Sequence, residues 1–173
     1  MDASLTGVPQ KRRRYFLIAQ LKGEDGRFLH ELEKELSDQP MSVYDYFGDS
    51  IDTEYYYAHP RTYKRRSVFS VHEPSATIRR VNRPIPKNYK QHPADKADVK
   101  KSVRPLTTKE RSHIQTFPES YVFLGSSSQR EHMIGNAVPV KLAEYVAKSI
   151  NRTLKDASVK ANKIDLGEPS LVA

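Results

Sequence analysis

The stretch Arg104-Pro-Leu-Thr-Thr-Lys-Glu-Arg111 carries the clearest local structural signal in this chain of 173 residues. Thr107 and Glu110 have the spacing of a capping box, in which the threonine oxygen caps the first turn and the glutamate returns to the threonine amide. The pattern predicts a helix over about 108–116. Pro118 ends this helix because proline lacks the amide hydrogen that a helix requires.

Toward the C-terminus, Pro139 stands where the first turn of a helix tolerates a missing amide hydrogen. Apolar residues then follow at helical spacing, namely Leu142, Ala143, Val146, Ala147 and Ile150. This periodicity predicts a helix over about 139–154. Residues 155–173 lack it and are predicted to form a frayed tail, and Gly125-Ser-Ser-Ser128 is predicted to be a mobile loop.

Toward the N-terminus, the run Arg14-Tyr-Phe-Leu-Ile-Ala19 is short and apolar, which predicts a buried strand. A helix is predicted over about 27–37, from apolar residues at helical spacing: Phe28, Leu29, Leu32 and Leu36. Prolines divide the middle of the chain into short extended pieces, of which 67–71 and 77–79 are predicted strands.

The composition excludes several classes of function. There is no cysteine, so disulfides, thiolate metal sites and a cysteine nucleophile are excluded within this chain. The sequence contains neither a glycine-rich phosphate or dinucleotide loop nor a histidine pair at metal-binding spacing, so no metal site is predicted. No apolar run approaches the roughly 20 residues that span a bilayer. We expect a cytoplasmic protein without membrane contact.

The apolar share indicates a small core. Apolar residues make up 37% when tyrosine is counted, and about 35% when glycine is counted instead, against about 45–50% in typical globular domains. Either part of the chain stays loose, or another polypeptide covers part of its apolar surface.

Charge is segregated along the chain, whose net charge is +8. The balance is −8 over 24–54 and +10 over 55–104. The basic stretch also holds six aromatic residues: Tyr55, Tyr56, Tyr57, Tyr63, Phe69 and Tyr89. Interleaved basic and aromatic side chains suit contact with the phosphates and bases of a nucleic acid, and a solvated tyrosine-rich loop region has the same composition.

Three segments, taken in order, resemble motifs of the DNA cytosine-5 methyltransferases. Gly7-Val-Pro-Gln-Lys-Arg-Arg-Arg14, with the apolar run after it, resembles motif VIII. Arg104–Arg111 with Gln115-Thr-Phe-Pro118 resembles motif IX, and Ile134-Gly-Asn-Ala-Val-Pro139 resembles motif X. Between the first two lies Glu73-Pro-Ser-Ala-Thr-Ile-Arg79 with Asn82-Arg-Pro84, similar to the core of the family's target-recognition domains. The order and spacing of these segments cover residues 3–154.

The resemblance implies an α/β fold, a fragment of an S-adenosylmethionine-dependent methyltransferase. One strand of the large domain (1–22) and a C-terminal helix would flank a small, irregular, β-rich recognition region (23–103). Motifs IX and X (104–154) would return the chain to the catalytic domain, before a flexible tail (155–173).

The family's donor loop, its Pro-Cys catalytic loop and its Glu-Asn-Val motif precede motif VIII, and none of them occurs in this sequence. The chain therefore resembles the small subunit of a type II methylase divided between two polypeptides, inactive by itself and dependent on a larger subunit that carries the cysteine. Its partners would be that subunit and double-stranded DNA in a bacterial or phage nucleoid, within a restriction-modification system. A methyltransferase remnant that acts as a basic DNA-binding protein would have the same sequence features.

The resemblance also assigns roles to single residues. Gln10, Arg12 and Arg14 would line the catalytic pocket, where Arg14 donates to O2 of the flipped cytosine and Arg12 contacts the catalytic loop or a phosphate. Asn136 and Ala137 would complete the S-adenosylmethionine site, which lies mainly on the partner, with Gly135 letting the backbone approach it.

Seven residues are candidates for DNA contact because arginine and asparagine can pair with base edges bidentately. They are Arg61, Arg65, Arg66, Arg79, Arg80, Asn82 and Arg83. Two or three are expected to read bases, and the others to contact phosphates or solvent. Thr77, Arg104 and Glu110 are expected to be structural.

Overall fold

A computed structural model of the chain describes residues 1–21, 26–62, 64–99 and 102–164, and for 156–164 it describes the backbone alone. The helices are α1 (Arg27–Glu33), α2 (Val43–Phe47), α3 (Thr108–Ile114), α4 (Ser127–Asn136) and α5 (Val140–Ile164). The strands are β1 (Tyr55–Tyr57), β2 (Val68–Ser70) and β3 (Arg104–Pro105). Short 3-10 turns occur at Ala3–Leu5 and Gly48–Ser50.

Two compact units can be distinguished. The first consists of Met1–Tyr15 and Ser37–Ala143, and the second of Phe16–Leu36 and the chain from Glu144 onward. Within the part of the chain that is described, no helix has both the length and the apolar character needed to cross a membrane.

The sheet of the first unit has the order β2-β1-β3. β1 runs antiparallel to β2, with Tyr56 opposite Phe69, and parallel to β3, with Tyr56 opposite Arg104. Tyr56 and Tyr57 are each 1% exposed, so these rings belong to the core and do not contact nucleic acid. Neither interpretation of the tyrosine-rich stretch, as a DNA surface or as a solvated loop, holds for them, and Tyr63 lies outside the described residues.

One hydrophobic cluster, which we call the main hydrophobic cluster, lies where the sheet meets the helices of this unit. Its buried members are Val43, Ile51, Tyr56, Val71, Ile78, Leu106, Ile114 and Ile134. A smaller cluster on the other part of the sheet joins Tyr57, Val68 and Val103. The core is thus assembled from short elements far apart in sequence.

The two helices with strong sequence signals are confirmed. The side chain of Thr107 accepts from the Glu110 amide and that of Glu110 accepts from the Thr107 amide, so the capping box of α3 is present. α5 begins directly after Pro139, whose carbonyl accepts from Ala143 at 3.0 Å. The helix runs to Ile164, so the frayed tail predicted from 155 is wrong for 155–164, and 165–173 lie outside the described residues.

Two helices were not predicted. α2 is capped by Ser42 and Asp45 and α4 by Ser126 and Gln129, each in a capping box. The prediction of a mobile loop at Gly125–Ser128 is therefore wrong, because the serines open α4. The sequences of both segments contain the capping residues, but no apolar periodicity follows them.

The strand predicted for 14–19 is not formed. Residues 14–20 form no strand, and Leu17 and Leu21 are 79% and 91% exposed. An apolar run becomes a strand only beside a hydrogen-bonding neighbour, and none of the described strands lies beside it. The strand predicted at 77–79 is also wrong, whereas that at 67–71 is confirmed as β2.

The second unit joins α1 to the part of α5 that follows Ala143. The guanidinium of Arg152 donates to the carboxylates of Glu31 (3.3 Å) and Glu35 (2.8 Å), and the hydroxyl of Tyr145 donates to the Leu32 carbonyl. Within α5 itself, the buried hydroxyls of Ser149 and Thr153 donate to carbonyls one turn earlier. The helix predicted over 27–37 is confirmed as α1, but it ends at Glu33.

Candidate nucleic-acid interface

Arginine side chains converge on two adjoining clefts of the first unit. One cleft, of about 290 Å³, is lined by Arg61, Arg65, Arg66 and Arg79 among others. The other, of about 260 Å³, is lined by Arg61, Arg79, Arg80 and Arg83. Six of the seven predicted DNA-contacting residues therefore line this pair of clefts, which we call the arginine clefts. Asn82 lies outside the arginine clefts, and its side-chain amide donates to the Leu106 carbonyl at 2.7 Å.

His59 and Pro60 line both arginine clefts between the arginines. Burial lowers the pKa of His59, and the positive charges of Arg83 and Arg79 lower it further. The imidazole is therefore neutral at pH 7, so it adds apolar surface and hydrogen-bonding capacity to the arginine clefts but no charge. Sequence reasoning missed this residue because a lone histidine carries no spacing signal.

The main chain that presents Arg79 and Arg80 is fastened from two sides. The Arg79 carbonyl accepts from Arg111, and the Arg79 side chain donates to the His59 carbonyl. On the other side, a Cβ at Gly135 would lie 2.3 Å from the Arg79 carbonyl carbon and 2.3 Å from the Arg80 nitrogen. Only glycine allows α4 to approach this peptide so closely.

The missing side chain of Gly135 permits the close approach of α4 to the recognition segment of the same chain. The approach of the Gly135 backbone to a cofactor stays a prediction. Gly135 and Asn136 form the last turn of α4, so the alternative of an ordinary turn before a helix is wrong.

The Arg111 side chain that donates to the Arg79 carbonyl is itself held by a buried ion pair with Glu131. The Nε of Arg111 lies 2.6 Å from a carboxylate oxygen of Glu131, and both side chains are 7% exposed. The other Glu131 oxygen accepts from the Thr108 hydroxyl at 2.6 Å. Burial lowers the pKa of Arg111, although the charge of Glu131 opposes this shift. Glu131 was missed because it lies in the helix that the sequence did not predict.

Arg65 and Arg66 are neighbours with different surroundings. Arg65 is exposed. Arg66 is half-buried and donates to both carboxylate oxygens of Glu73, at 3.0 and 2.7 Å, while its guanidinium lies 4.3 Å above the Phe69 ring. A bidentate, stacked guanidinium is fixed by its own chain. Of the two, Arg65 is the one with a side chain available to DNA.

Arg12 and Gln10 lie inside the molecule, 3% and 0% exposed. The Arg12 guanidinium donates to the carbonyls of Ile78 (2.9 Å), Gly135 (3.1 Å) and Ala137 (2.9 Å). The Gln10 side chain accepts from the Ile78 amide at 2.9 Å and donates to Gln115 at 2.9 Å. The contact of Arg12 with a catalytic loop or phosphate is therefore replaced by contacts within this chain, which tie motif VIII to the recognition segment and to α4.

The charge on Arg12 survives this burial. Removal from water lowers its pKa to about 10, with a smaller contribution from the positive charge of Arg14. The guanidinium is therefore protonated at neutral pH and makes charge-assisted hydrogen bonds, which are stronger than neutral ones.

Arg14 of motif VIII reaches the surface, as Arg13 does. Its backbone pairs with Met1 in both directions, at 2.9 and 3.0 Å, and its half-buried side chain donates to the Arg13 carbonyl at 2.7 Å. Arg13 is exposed and lies 3.6 Å from Asp2. The guanidinium of Arg14 thus stands at the surface from which the exposed apolar run departs.

The three residues expected to be structural all make contacts within the chain. The Thr77 hydroxyl donates to the Lys11 carbonyl at 2.7 Å. Arg104 donates to both carboxylate oxygens of Glu110, at 2.9 and 2.7 Å, and also contacts Asp52. Glu110 in turn caps α3, so one carboxylate joins β3 to the start of this helix.

Asn136 and Ala137 do not enclose a cofactor by themselves. The Ala137 carbonyl already accepts from Arg12 at 2.9 Å and Gln115 at 3.3 Å. Asn136 is exposed, with its amide nitrogen 3.1 Å from His132 Nδ1. Of the two residues, Asn136 is the one whose side chain stands at the surface.

Comparison with known proteins identifies the family. Residues 1–152 match the model of the C-5 cytosine-specific DNA methylases, and the chain belongs to this family. It is 56% identical over 154 residues to the type II methyltransferase M.HgiDI of Herpetosiphon aurantiacus, covering 89% of this chain and 50% of that protein.

A second relative is M.HindV of Haemophilus influenzae, 54% identical over 151 residues that cover 87% of this chain and 50% of that protein. The chain thus spans about half the length of these curated relatives. No solved structure matches it. Members of the family use S-adenosylmethionine as the methyl donor.

Proposed function

We propose that this chain is the DNA-recognition subunit of a divided DNA cytosine-5 methyltransferase. It would choose the target sequence and contribute Arg14 to the catalytic pocket. A larger subunit would supply the cysteine nucleophile and most of the S-adenosylmethionine site. The site on this chain would be limited to the Asn136 side chain at the end of α4.

The observation that carries the recognition role is the convergence of six arginines on the arginine clefts. Arginine pairs with the O6 and N7 atoms of guanine, and each bidentate pair contributes about 1–3 kcal/mol of discrimination. The segment that bears Arg79 and Arg80 is fixed by Arg111 and Gly135. A fixed backbone holds exposed side chains in one register on the DNA, which specific recognition requires.

Two features support the need for a second subunit. The sequence has no cysteine, so the covalent bond to C6 of cytosine must come from residues outside this chain. The apolar side chains of Leu17 and Leu21 are exposed, which suits burial against another polypeptide. We propose that 1–22 becomes part of the larger subunit's catalytic domain, with 23–103 as the recognition region and 104–154 returning to the catalytic domain.

Arg14 would act on the reacting cytosine, which must leave the stack because its C6 is shielded inside the duplex. Attack at C6 moves electron density into the ring and toward O2. A guanidinium held beside O2 stabilises that charge in the transition state more than in the bound substrate.

The test is reconstitution. The chain, the cysteine-bearing polypeptide encoded by the neighbouring reading frame (the catalytic half), and their mixture are each assayed for transfer of radiolabelled methyl groups to DNA. We expect transfer by the mixture alone. Arg14→Ala in the mixture should lower kcat at least 100-fold while changing the Kd for DNA less than threefold, and Arg13→Ala is the matched control.

The reconstitution also separates the alternatives. A neighbouring frame without a Pro-Cys loop, together with DNA binding by this chain alone, would identify a methyltransferase remnant acting as a basic DNA-binding protein. Equal losses of kcat and affinity in Arg14→Ala would make Arg14 a phosphate contact.

A further inference from the structure

The segment after α3 exposes large apolar side chains on a rigid support. Val122 and Leu124 are 72% and 78% exposed. Phe123 between them points inward and packs against the main hydrophobic cluster. Residues 121–124 belong to no helix or strand, and among them Phe123 alone is half-buried while its neighbours are exposed.

Edge-on and tilted ring contacts hold this segment in place. The Phe123 centroid lies 4.9 Å from that of Phe117 and 4.8 Å from that of Tyr121. The Tyr121 amide donates to the Pro118 carbonyl at 3.0 Å, which closes a turn. The backbone that carries the outward side chains is therefore anchored, which reduces the entropy lost when a partner covers them.

An open cleft of about 600 Å³ continues the apolar surface. Leu124 and Met133 line it, together with Gly125, Ser128, Gln129 and His132. We call the exposed side chains of Tyr121, Val122, Leu124 and Met133, with this cleft, the apolar shelf. Exposed apolar patches of this kind in soluble proteins mark sites of protein interaction.

The chemistry of the apolar shelf favours a polypeptide over DNA as its occupant, although the Arg80 guanidinium lies 3.4 Å from His132 at its edge. No lysine or arginine lines the cleft, and over 118–129 the sequence contains one charged residue, Glu119. Affinity for DNA comes mainly from cations that contact phosphates. The apolar shelf also shares no lining residue with the arginine clefts.

We propose that the apolar shelf is a docking surface for the catalytic half. This inference rests on the proposed function. The relatives are about twice as long as the matched region, so in each of them the counterpart of this chain is joined to a further polypeptide segment of similar size. A segment of that size is the partner that a rigid apolar surface beside α4 would contact when the two parts form one enzyme.

The experiment measures the Kd between this chain and the catalytic half by isothermal titration calorimetry. Leu124→Asp and Val122→Asp should each raise the Kd at least tenfold, because a carboxylate would be buried without a partner. Leu124→Met and Val122→Ile, which keep the surface apolar, are the matched controls and should change it less than threefold. Circular dichroism and DNA affinity of all four variants should equal those of the unsubstituted chain.

The outcomes distinguish this inference from the proposed function. If the unsubstituted chain binds the catalytic half and the aspartate variants bind it equally well, the apolar shelf is not the docking surface, whereas the divided enzyme stands. If the unsubstituted chain does not bind, the divided enzyme itself is refuted. A homodimer in light scattering that Leu124→Asp dissociates would assign the apolar shelf to a second copy and overturn the inference.

Discussion

At the scale of single residues, position in the fold separates arginines that the sequence presents as equivalent. Arg12 is enclosed, Arg13 is exposed and Arg14 is half-buried at the surface. In the same way Arg65 is exposed, whereas Arg66 is bound to Glu73. A run of arginines thus contains both structural residues and candidates for DNA contact, and burial tells them apart.

Arg12 and Arg13 give the first prediction. Arg12→Ala should lower the free energy of unfolding by about 3 kcal/mol, because three buried carbonyls lose a charged donor. Arg13→Ala should change it by less than about 0.5 kcal/mol, since an exposed ion pair contributes little. Urea denaturation followed by circular dichroism measures both, and similar values for the two variants would contradict the interior role of Arg12.

Arg65 and Arg66 form a second matched pair. Arg65→Ala should weaken DNA binding, and the slope of log Kd against log salt should fall by about one if Arg65 contacts a phosphate. Arg66→Ala should lower the thermal midpoint of unfolding and leave the salt slope unchanged, because Glu73 already neutralises its charge. Fluorescence anisotropy at several salt concentrations checks the pair. A larger change of slope in Arg66→Ala would reverse the assignment.

At the scale of elements, α4 is the support of the recognition segment. It supplies Glu131 to the ion pair with Arg111 and Gly135 to the contact with the Arg79–Arg80 peptide. Ser126 caps the start of the helix, and the Gln129 side chain accepts from the Ser126 amide at 2.8 Å. Substitutions on the buried face of α4 should therefore alter the geometry of the arginine clefts.

Gly135→Ala tests this support. By helix propensity alone, alanine would stabilise α4 by up to about 1 kcal/mol. The new Cβ would lie 2.3 Å from backbone atoms of Arg79 and Arg80, so we expect destabilisation by about 1–3 kcal/mol, typical of overpacking. Ser128→Ala, on the exposed face of the same helix, should change stability by less than about 0.5 kcal/mol. Thermal unfolding that shows Gly135→Ala to be stabilising would contradict the close contact.

The start of β2 depends on Asp95, which makes stability sensitive to acid. Burial alone would raise the pKa of Asp95, but hydrogen bonds from Tyr89 and from the amides of Val68, Ser67 and His92 lower it on balance. A carboxylate with a lowered pKa stabilises the fold above its unfolded-state pKa of about 4 and loses that effect as pH falls through the folded-state value.

The corresponding prediction uses Asp95→Asn. The stability difference between the unsubstituted chain and this variant should be constant above about pH 5 and shrink as the pH falls below about 4. Urea titrations between pH 3 and 7 would show it. A difference that grows on acidification would mean that the pKa of Asp95 is raised.

Local signals in the sequence predicted some elements and missed others for physical reasons. α3 and α5 carry strong caps or long apolar periodicity, and both were found. α2 is five residues long, and α4 buries Glu131 and Gly135 in place of a hydrophobic stripe, so periodicity did not reveal either. The run at 14–19 has the composition of a buried strand, but burial depends on a neighbour that composition does not specify.

At the scale of the whole molecule, the two sets of surface features point to different partners. The arginine clefts suit a polyanion, and the apolar side chains of Leu17, Leu21, Val122 and Leu124 suit a polypeptide. The prediction from composition, that part of the apolar surface is completed by another chain, is consistent with these exposed residues. The gathering of Arg61, Arg79 and Arg83 in one place depends on contacts distant in sequence, which a single sequence does not display.

The central claim, that this chain selects the cytosine which a second subunit methylates, is tested most directly by bisulfite mapping of DNA treated with the reconstituted pair. The account predicts methylation at one recurrent sequence with the unsubstituted chain, and loss or broadening of that sequence preference with Arg80→Ala/Arg83→Ala. Methylation of the same sites by the catalytic half without this chain would contradict the claim. So would an unchanged sequence preference when Arg65→Ala is added to the double variant.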